Sequence, residues 1–127
     1  MVRKMLRASD GLPFSKAVIS GEKYIMEISG QIGLNNDGEL TKGIEAQTRK
    51  ALENVGDILK EIGWSFENII KVRIFLADMG DYSIVNKIYS GYFKEGFPSR
   101  VALAVKELPL GALIEFDCTA CGDEYNF

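Results

Sequence analysis

The alternation of hydrophobic and polar positions predicts a chain of short strands interrupted by two helices. From residue 44 to residue 62, apolar side chains recur every three or four positions, as on one buried helix face, and Gly63 follows as a stop signal. A second helix with the same spacing is expected to begin after Asp81, a favourable N-cap residue, and to end at Gly96. Short runs rich in β-branched residues predict strands at residues 17–20, 24–29, 69–76, 100–105 and 113–119.

This order of elements predicts a single domain over residues 1–127, an α+β or α/β sandwich with the two helices packed on one face of a sheet. The runs at 74–76 and 101–105 carry apolar side chains on both faces of their strands. Because two helices cover only one face, the other face must be buried elsewhere. A second copy of the chain is the expected partner, and the pattern therefore predicts a closed homo-oligomer.

Composition narrows the possible functions. The chain has 15 Lys and Arg, 18 Asp and Glu, a formal net charge of −3 and no His. The mild acidity argues against nucleic-acid binding, which depends on a basic surface. Without His, one chain cannot form a Ser-His-Asp triad or a His-ligated metal site. No apolar run reaches the roughly 20 residues that span a bilayer, and none of signal-peptide length follows the basic start. A soluble, cytoplasmic protein without a membrane partner is therefore expected.

Two cysteines, Cys118 and Cys121, form a C-x-x-C spacing near the C-terminus. Redox pairs of this kind open a helix, where the helix dipole lowers the thiol pKa. Here the spacing ends an apolar run, and no helix follows in the sequence. Both thiols are therefore expected to be buried or incidental.

Candidate chemistry centres on one arginine and one glutamate. Arg100 begins a predicted strand, and its planar guanidinium can bind a carboxylate through two parallel hydrogen bonds, although an ordinary surface ion pair would also explain it. Glu115 lies inside an apolar strand, where an acid is expected to be paired or functional. Asp117 shares the same strand face, so either acid is a candidate.

An ordered series of short motifs resembles the Rid (reactive intermediate deaminase) family, also called the YjgF family, over nearly the whole chain. The matching segments are Ser29-Gly30-Gln31-Ile32, Gln47-Thr48-Arg49, Ile70-Lys71-Val72, Val85-Asn86, Phe97-Pro98-Ser99-Arg100, Leu108-Pro109 and Ile114-Glu115-Phe116. Each motif is weak alone, but their order and spacing together make the match fairly specific.

The resemblance implies a chorismate-mutase-like α+β fold and a homotrimer with a barrel-like core and active sites between subunits. It also implies a hydrolase of metabolite damage control, which converts the enamine 2-aminoacrylate or the imine 2-iminopropanoate to a 2-keto acid and ammonia. No cofactor or metal is implied. By the same resemblance, Arg100 anchors the substrate carboxylate, and Glu115 positions the attacking water.

Two other functions fit the same cleft. One is a related deaminase with a larger substrate, of the aminomuconate type. The other is a non-catalytic trimer that binds small carboxylates or a partner protein. Ribonuclease activity has been ascribed to some family members, but the acidic charge and the absence of His argue against it here.

The resemblance assigns four further residues to substrate binding. Ser29 and Gly30 match a pocket-lining segment, in which glycine permits close backbone approach. Asn86 matches a recurring asparagine on the second helix, where its amide could bond backbone at the cleft wall or simply lie on the helix surface. Ala102 stands where many members carry Cys, which contributes mainly its backbone groups.

Phe14 is a departure from the family pattern. The segment Pro13-Phe14-Ser15 matches a Pro-Tyr-Ser motif, so this chain lacks a hydroxyl that reaches the active site in typical members. A lost hydrogen bond to a charged group costs roughly 1.5–3 kcal/mol. Phe14→Tyr is therefore expected to raise activity roughly tenfold.

Overall fold

The computed structural model describes residues 3–127 and contains one six-stranded sheet and two α-helices. The strands are β1 (Arg3–Arg7), β2 (Ser15–Ser20), β3 (Tyr24–Gln31), β4 (Ile69–Leu76), β5 (Ser99–Ala104) and β6 (Ile114–Gly122). The helices are α1 (Ile44–Lys60) and α2 (Tyr82–Ser90). The strand order is β1-β2-β5-β4-β6-β3, in which β5 runs parallel to both of its neighbours and the other pairs are antiparallel. This confirms the α+β class; residues 1 and 2 of the predicted domain lie outside the described part.

The core lies between the helices and one face of the sheet. Alternate residues of β4 and β6 are buried, as expected for strands that have one covered face. They pack against the apolar stripe of α1, and the cluster includes Val72, Ile74, Leu76, Ile114, Phe116, Ala51, Leu52, Val55 and Leu59. The apolar face of the sheet and the apolar stripes of the helices thus meet in one layer, and both helices lie on the same side of the sheet.

The opposite face of the sheet is not covered by any element of the described chain, and it is partly apolar. Val101 and Leu103 of β5 are 39% and 40% exposed, and Leu103 pairs with half-buried Phe75 of β4. The prediction that these strands carry apolar side chains on both faces is confirmed.

The second helix is shorter than predicted. It ends at Ser90, and Gly96 lies in a later loop. After Gly91 the chain turns, with the Tyr92 amide bonded to the Tyr89 carbonyl at 3.0 Å, and Phe93 reaches the core from outside the helix. The apolar spacing continued past the helix end because these residues are buried in the same layer, so the spacing alone could not mark the end.

The start of α2 also differs in its capping. Asp81 occupies the N-cap position, but its side chain makes no capping hydrogen bond. Asp78 does the capping one turn earlier, where its Oδ1 accepts the Gly80 amide at 2.8 Å and begins the 3₁₀ turn Met79–Asp81. This turn delivers the chain directly into α2.

Strand β1 has no counterpart in the sequence prediction, because its basic residues form no apolar run. It is held by Arg3, which binds Glu22 at 2.6 Å and also donates to the backbone carbonyl of Cys121 at 3.1 Å. Cys118 and Cys121 are free and buried in β6, as predicted, and burial raises the pKa of the Cys118 thiol to about 12. Across residues 3–127, neither helix has the length and apolar character of a membrane span.

Candidate active site

Arg100 lies on the helix-covered face of the sheet, among three aromatic rings. Its Cζ atom is 5.0 Å from the ring centroid of Tyr89, 5.5 Å from that of Phe14 and 5.6 Å from that of Tyr82. These distances fall within the range of cation–π attraction. The Nη2 atom also donates a hydrogen bond to the Tyr82 hydroxyl oxygen at 2.9 Å. We call the rings of Phe14, Tyr82 and Tyr89 the aromatic cage.

The cage holds a positive charge without an anionic partner. Residues 3–127 form three ion pairs, and Arg100 belongs to none of them. Its Nη1 atom is buried and has no hydrogen-bond partner. A partly buried cation loses hydration, and an anion that binds there restores the lost electrostatic stabilisation. The cage is therefore suited to bind an anionic group.

Strand register explains why Phe14 and Arg100 meet. Ser15 pairs with Ser99 in a parallel ladder, so Phe14 lies beside Pro98, on the strand face that Arg100 shares, and its ring can reach the guanidinium diagonally. The Ser15 hydroxyl donates to the Phe97 carbonyl at 2.6 Å, which locks this junction. Phe14 also lines a cleft of about 360 Å³ between residues 7–12 and 94–97, so this residue borders both the cage and the cleft.

Helix α2 supplies the other wall of the cage. Tyr82, Asn86 and Tyr89 occupy positions i, i+4 and i+7, which share one helix face. The Asn86 Oδ1 and the Tyr89 hydroxyl are buried without a hydrogen-bond partner among residues 3–127, so the Asn86 oxygen does not make the backbone bond that was one of its two possible roles. Burial holds the pKa of Tyr89 well above its usual range, despite the nearby Arg100 charge, so the hydroxyl stays protonated. Ala102 is half-buried two residues after Arg100 on the same strand face.

Glu115 lies against Gly30 on the uncovered face of the sheet. A Cβ atom added to Gly30 would be 2.6 Å from both Cδ and Oε2 of Glu115, so this approach requires glycine. The β3–β6 register shifts between Ile28 and Gln31, which leaves Ser29 and Gly30 exposed and outside the regular pairing. The predicted close approach at Gly30 is confirmed, and the group that approaches it is the Glu115 carboxylate.

The two candidate acids differ in their partners. Asp117 is paired with Arg73 at 2.9 Å, whereas Glu115 makes no ion pair or side-chain hydrogen bond with any residue in 3–127. Desolvation raises the pKa of Glu115, and the Asp117 charge raises it further. Glu115 is thus the acid that can exchange a proton with a ligand.

The sheet separates the predicted site residues into two groups. Arg100 pairs with Val72, whose side chain points to the helices, while Glu115 pairs with Phe75, whose side chain points away from them. Phe14, Asn86 and Ala102 belong to the Arg100 group, and Ser29 and Gly30 belong to the Glu115 group. One chain therefore does not bring Arg100 and Glu115 around a single ligand.

Three residues with roles near the site were not predicted as site residues. Tyr82 and Tyr89 complete the cage, and their helical spacing with Asn86 is the signal that could have shown it. Gln47 is 5% exposed; its Oε1 accepts the Leu113 amide at 2.8 Å and so fixes the chain just before β6 and Glu115. Within residues 3–127, no three His, Cys, Asp or Glu side chains form a group that could hold a metal.

Comparison with known proteins gives matches along nearly the whole chain. The family model described as endoribonuclease L-PSP matches residues 7–121. A human protein named 2-iminobutanoate/2-iminopropanoate deaminase is 42% identical over 110 residues, which are 85% of this chain and 79% of that protein. A RutC family protein of Pyrococcus horikoshii is also 42% identical over 110 residues, covering 85% and 86% of the two chains.

A solved structure agrees with these matches. A protein of unknown function of the conserved Rid protein family from Yersinia pestis is 35% identical, with a TM-score of 0.74 and coverage of 94% of this chain and 98% of that one. The names given to the relatives matched by sequence support an enzyme of the deaminase type.

Proposed function

The chain belongs to the Rid (YjgF) family, and from that membership we propose that it hydrolyses small 2-imino and 2-enamino acids to a 2-keto acid and ammonia. The observation that carries the proposal is the aromatic cage, which holds the Arg100 guanidinium without a counter-charge among the described residues. A 2-imino acid has a carboxylate directly beside the reacting carbon. Binding that carboxylate therefore fixes the reacting centre as well.

The reaction needs one water molecule and one group that moves protons. Glu115 as a carboxylate accepts a proton from water as the water oxygen attacks the imine carbon, and the C=N bond becomes a single bond to nitrogen. The same proton then moves to the nitrogen, which gives a neutral carbinolamine. The hydroxyl proton of that carbinolamine passes through Glu115 to the nitrogen as the C–N bond breaks, so ammonia leaves and the carbonyl of the keto acid forms. An enamine such as 2-aminoacrylate first gains a proton at its terminal carbon and becomes the imine. The raised pKa of Glu115 suits this exchange.

We place the reacting site between subunits, because Arg100 and Glu115 lie on opposite faces of one sheet. A closed ring of identical chains can bring the uncovered face of one sheet to the cage side of the next chain. Association of the subunits is favourable because it removes the exposed apolar side chains of Val101 and Leu103 on that face from water.

Assembly as a trimer is the first prediction. Sedimentation velocity at micromolar concentration should give a mass of about 42 kDa, three times the 14.1 kDa of one chain. Leu103→Lys should dissociate the trimer, because it places a charge on the buried face. Ile84→Lys is the matched control, because Ile84 is equally exposed but lies on the outer side of α2. A folded wild-type monomer would contradict both the assembly and the shared site.

Complementation between two inactive variants tests the shared site directly. Arg100→Ala and Glu115→Gln should each retain about a hundredth of the wild-type activity or less when alone. After mixing and reassembly, a mixed trimer contains one interface where both groups are native, so roughly a quarter of the wild-type activity should return. No recovery in trimers shown to be mixed would mean that each site lies within one chain.

The proposed reaction is tested by ammonia release from 2-iminopropanoate, which an amino-acid oxidase generates in the same solution. The protein should accelerate the appearance of ammonia beyond the spontaneous rate, without an added cofactor or metal. If a longer imino acid is preferred, the larger-substrate deaminase becomes the better account. If small carboxylates bind but no imine is hydrolysed faster, the chain is a binding module.

We further propose a cytoplasmic location, where amino-acid enzymes release such imines.

A further inference from the structure

We propose that Tyr82 is a positioning residue of the carboxylate site, which orients the Arg100 guanidinium through its hydroxyl oxygen. The proposal rests on the function proposed above, because it assigns a residue to the same site. The contact that carries it is the 2.9 Å hydrogen bond from Arg100 Nη2 to the Tyr82 oxygen. Among residues 3–127, this is the one hydrogen bond that the Arg100 side chain makes.

The three rings and this hydrogen bond restrict different motions of the guanidinium. The rings of Phe14, Tyr82 and Tyr89 lie beside the cation, at 5.0–5.6 Å from Cζ, and limit where it can move. Their attraction to the cation depends weakly on rotation of the guanidinium within its own plane. The bond to Tyr82 fixes that rotation, and bidentate binding of a carboxylate requires it to be fixed.

The position of Tyr82 makes it a firm point of attachment. It is the first residue of α2, directly after the 3₁₀ turn that Asp78 caps. Because the hydroxyl oxygen accepts from Arg100, its own hydrogen remains available to donate. A donor whose oxygen is bonded to a cation is polarised and donates more strongly. The Tyr82 hydroxyl is therefore available as a third donor beside the guanidinium pair.

Phe14 provides an internal comparison. Its ring lies 5.5 Å from Arg100 Cζ and that of Tyr82 lies 5.6 Å away, so two rings flank one cation at nearly equal distance. Of these two rings, only that of Tyr82 carries a hydroxyl. A hydroxyl moved from position 82 to position 14 therefore stays beside the same guanidinium.

Tyr82→Phe is the first test, because it keeps the ring and deletes only the hydroxyl. We expect kcat/KM for 2-iminopropanoate to fall about tenfold, which corresponds to roughly 1.4 kcal/mol. Calorimetric binding of 2-oxopropanoate, the product, should weaken by a similar factor while the melting temperature stays the same. Tyr92→Phe is the matched control; this half-buried tyrosine contacts Phe66, outside the cage, and its change should alter neither quantity.

Two combinations separate positioning from a merely structural role. In the Arg100→Ala background, Tyr82→Phe should cause no further loss, because the group that it orients is gone. Phe14→Tyr should restore most of the activity lost in Tyr82→Phe. In the wild-type background it should gain less than the tenfold expected from the sequence, because Tyr82 already bonds Arg100. Equal effects of Tyr82→Phe with and without Arg100 would overturn the proposal.

The outcomes also distinguish this proposal from the proposed function. If the wild-type protein hydrolyses 2-iminopropanoate and Tyr82→Phe is unchanged in activity and binding, the role of Tyr82 is wrong and the function stands. If the wild-type protein does not accelerate hydrolysis but binds 2-oxopropanoate in a manner that depends on Tyr82 and Arg100, the deaminase function fails and the role of Tyr82 stands.

Discussion

Replacement of Arg100 with alanine is expected to lower kcat/KM for 2-iminopropanoate roughly a hundredfold. In the proposed binding mode the variant loses two charge-assisted hydrogen bonds to the substrate carboxylate, together worth about 3 kcal/mol at the lower end of their range. Folding should persist, because Arg100 forms no ion pair among residues 3–127 and its Nη1 is buried without a partner. Ammonia release and calorimetric binding of 2-oxopropanoate should both show the loss.

Arg100→Lys separates the shape of the guanidinium from its charge. An ammonium is a point charge that cannot form two parallel hydrogen bonds to a carboxylate, and it stacks less well among aromatic rings. We therefore expect Arg100→Lys to recover little of the activity. Arg49→Ala is the matched control for the loss of a positive charge, because Arg49 is exposed on the outer side of α1. Near-normal activity of Arg100→Lys would show that the site needs only a diffuse positive charge.

Glu115→Gln is expected to have the other large effect. The turnover rate should fall by roughly a hundredfold to ten-thousandfold, which is the usual range for loss of a general acid or base. Glutamine keeps the shape that packs on Gly30, so assembly should be preserved. Binding of 2-oxopropanoate should change much less than turnover, because Arg100 still holds the carboxylate. Normal turnover by Glu115→Gln would remove Glu115 from the mechanism.

The raised pKa of Glu115 gives this prediction a pH dependence. In the proposed reaction the base is the Glu115 carboxylate, so activity should fall as the pH falls through this pKa, which desolvation and then Asp117 place above the ordinary value. Asp117→Asn removes one cause and also leaves the Arg73 charge free, and both changes lower the pKa of Glu115. The acid limb of the pH–rate profile should therefore move to lower pH while most activity remains. If Asp117→Asn is inactive and Glu115→Gln is active, the two acids have exchanged roles.

The same raised pKa predicts how Glu115→Gln affects stability. An acid whose folded pKa exceeds its unfolded pKa favours folding less as the pH rises through the folded value, because the folded state must then hold an unfavourable charge. Glutamine removes that charge. The melting temperature of Glu115→Gln at neutral pH should thus equal or exceed that of the wild type, although activity is lost.

Much of the fold could be predicted from the local spacing of apolar and polar residues. The predicted strand at 69–76 is observed as β4 with the same bounds, and the first helix begins at residue 44 as predicted. In both elements the apolar spacing repeats along the segment itself. Neighbouring residues are therefore enough to predict each element, and contacts with distant parts of the chain are not needed. The predicted end of α2 was wrong because Phe93 is buried from a loop that follows the helix. Its apolar side chain continues the helical spacing, so the pattern predicts one turn more than the helix has.

The fold class, the need to cover a second sheet face and the choice of Arg100 and Glu115 as candidates all follow from residue type and local spacing. The face that each residue occupies does not, because it depends on how distant strands pair. The same pairing gave Asp117 its partner Arg73 and left Glu115 free. It also placed Tyr82 against Arg100, a contact between residues 18 positions apart that no local pattern specifies.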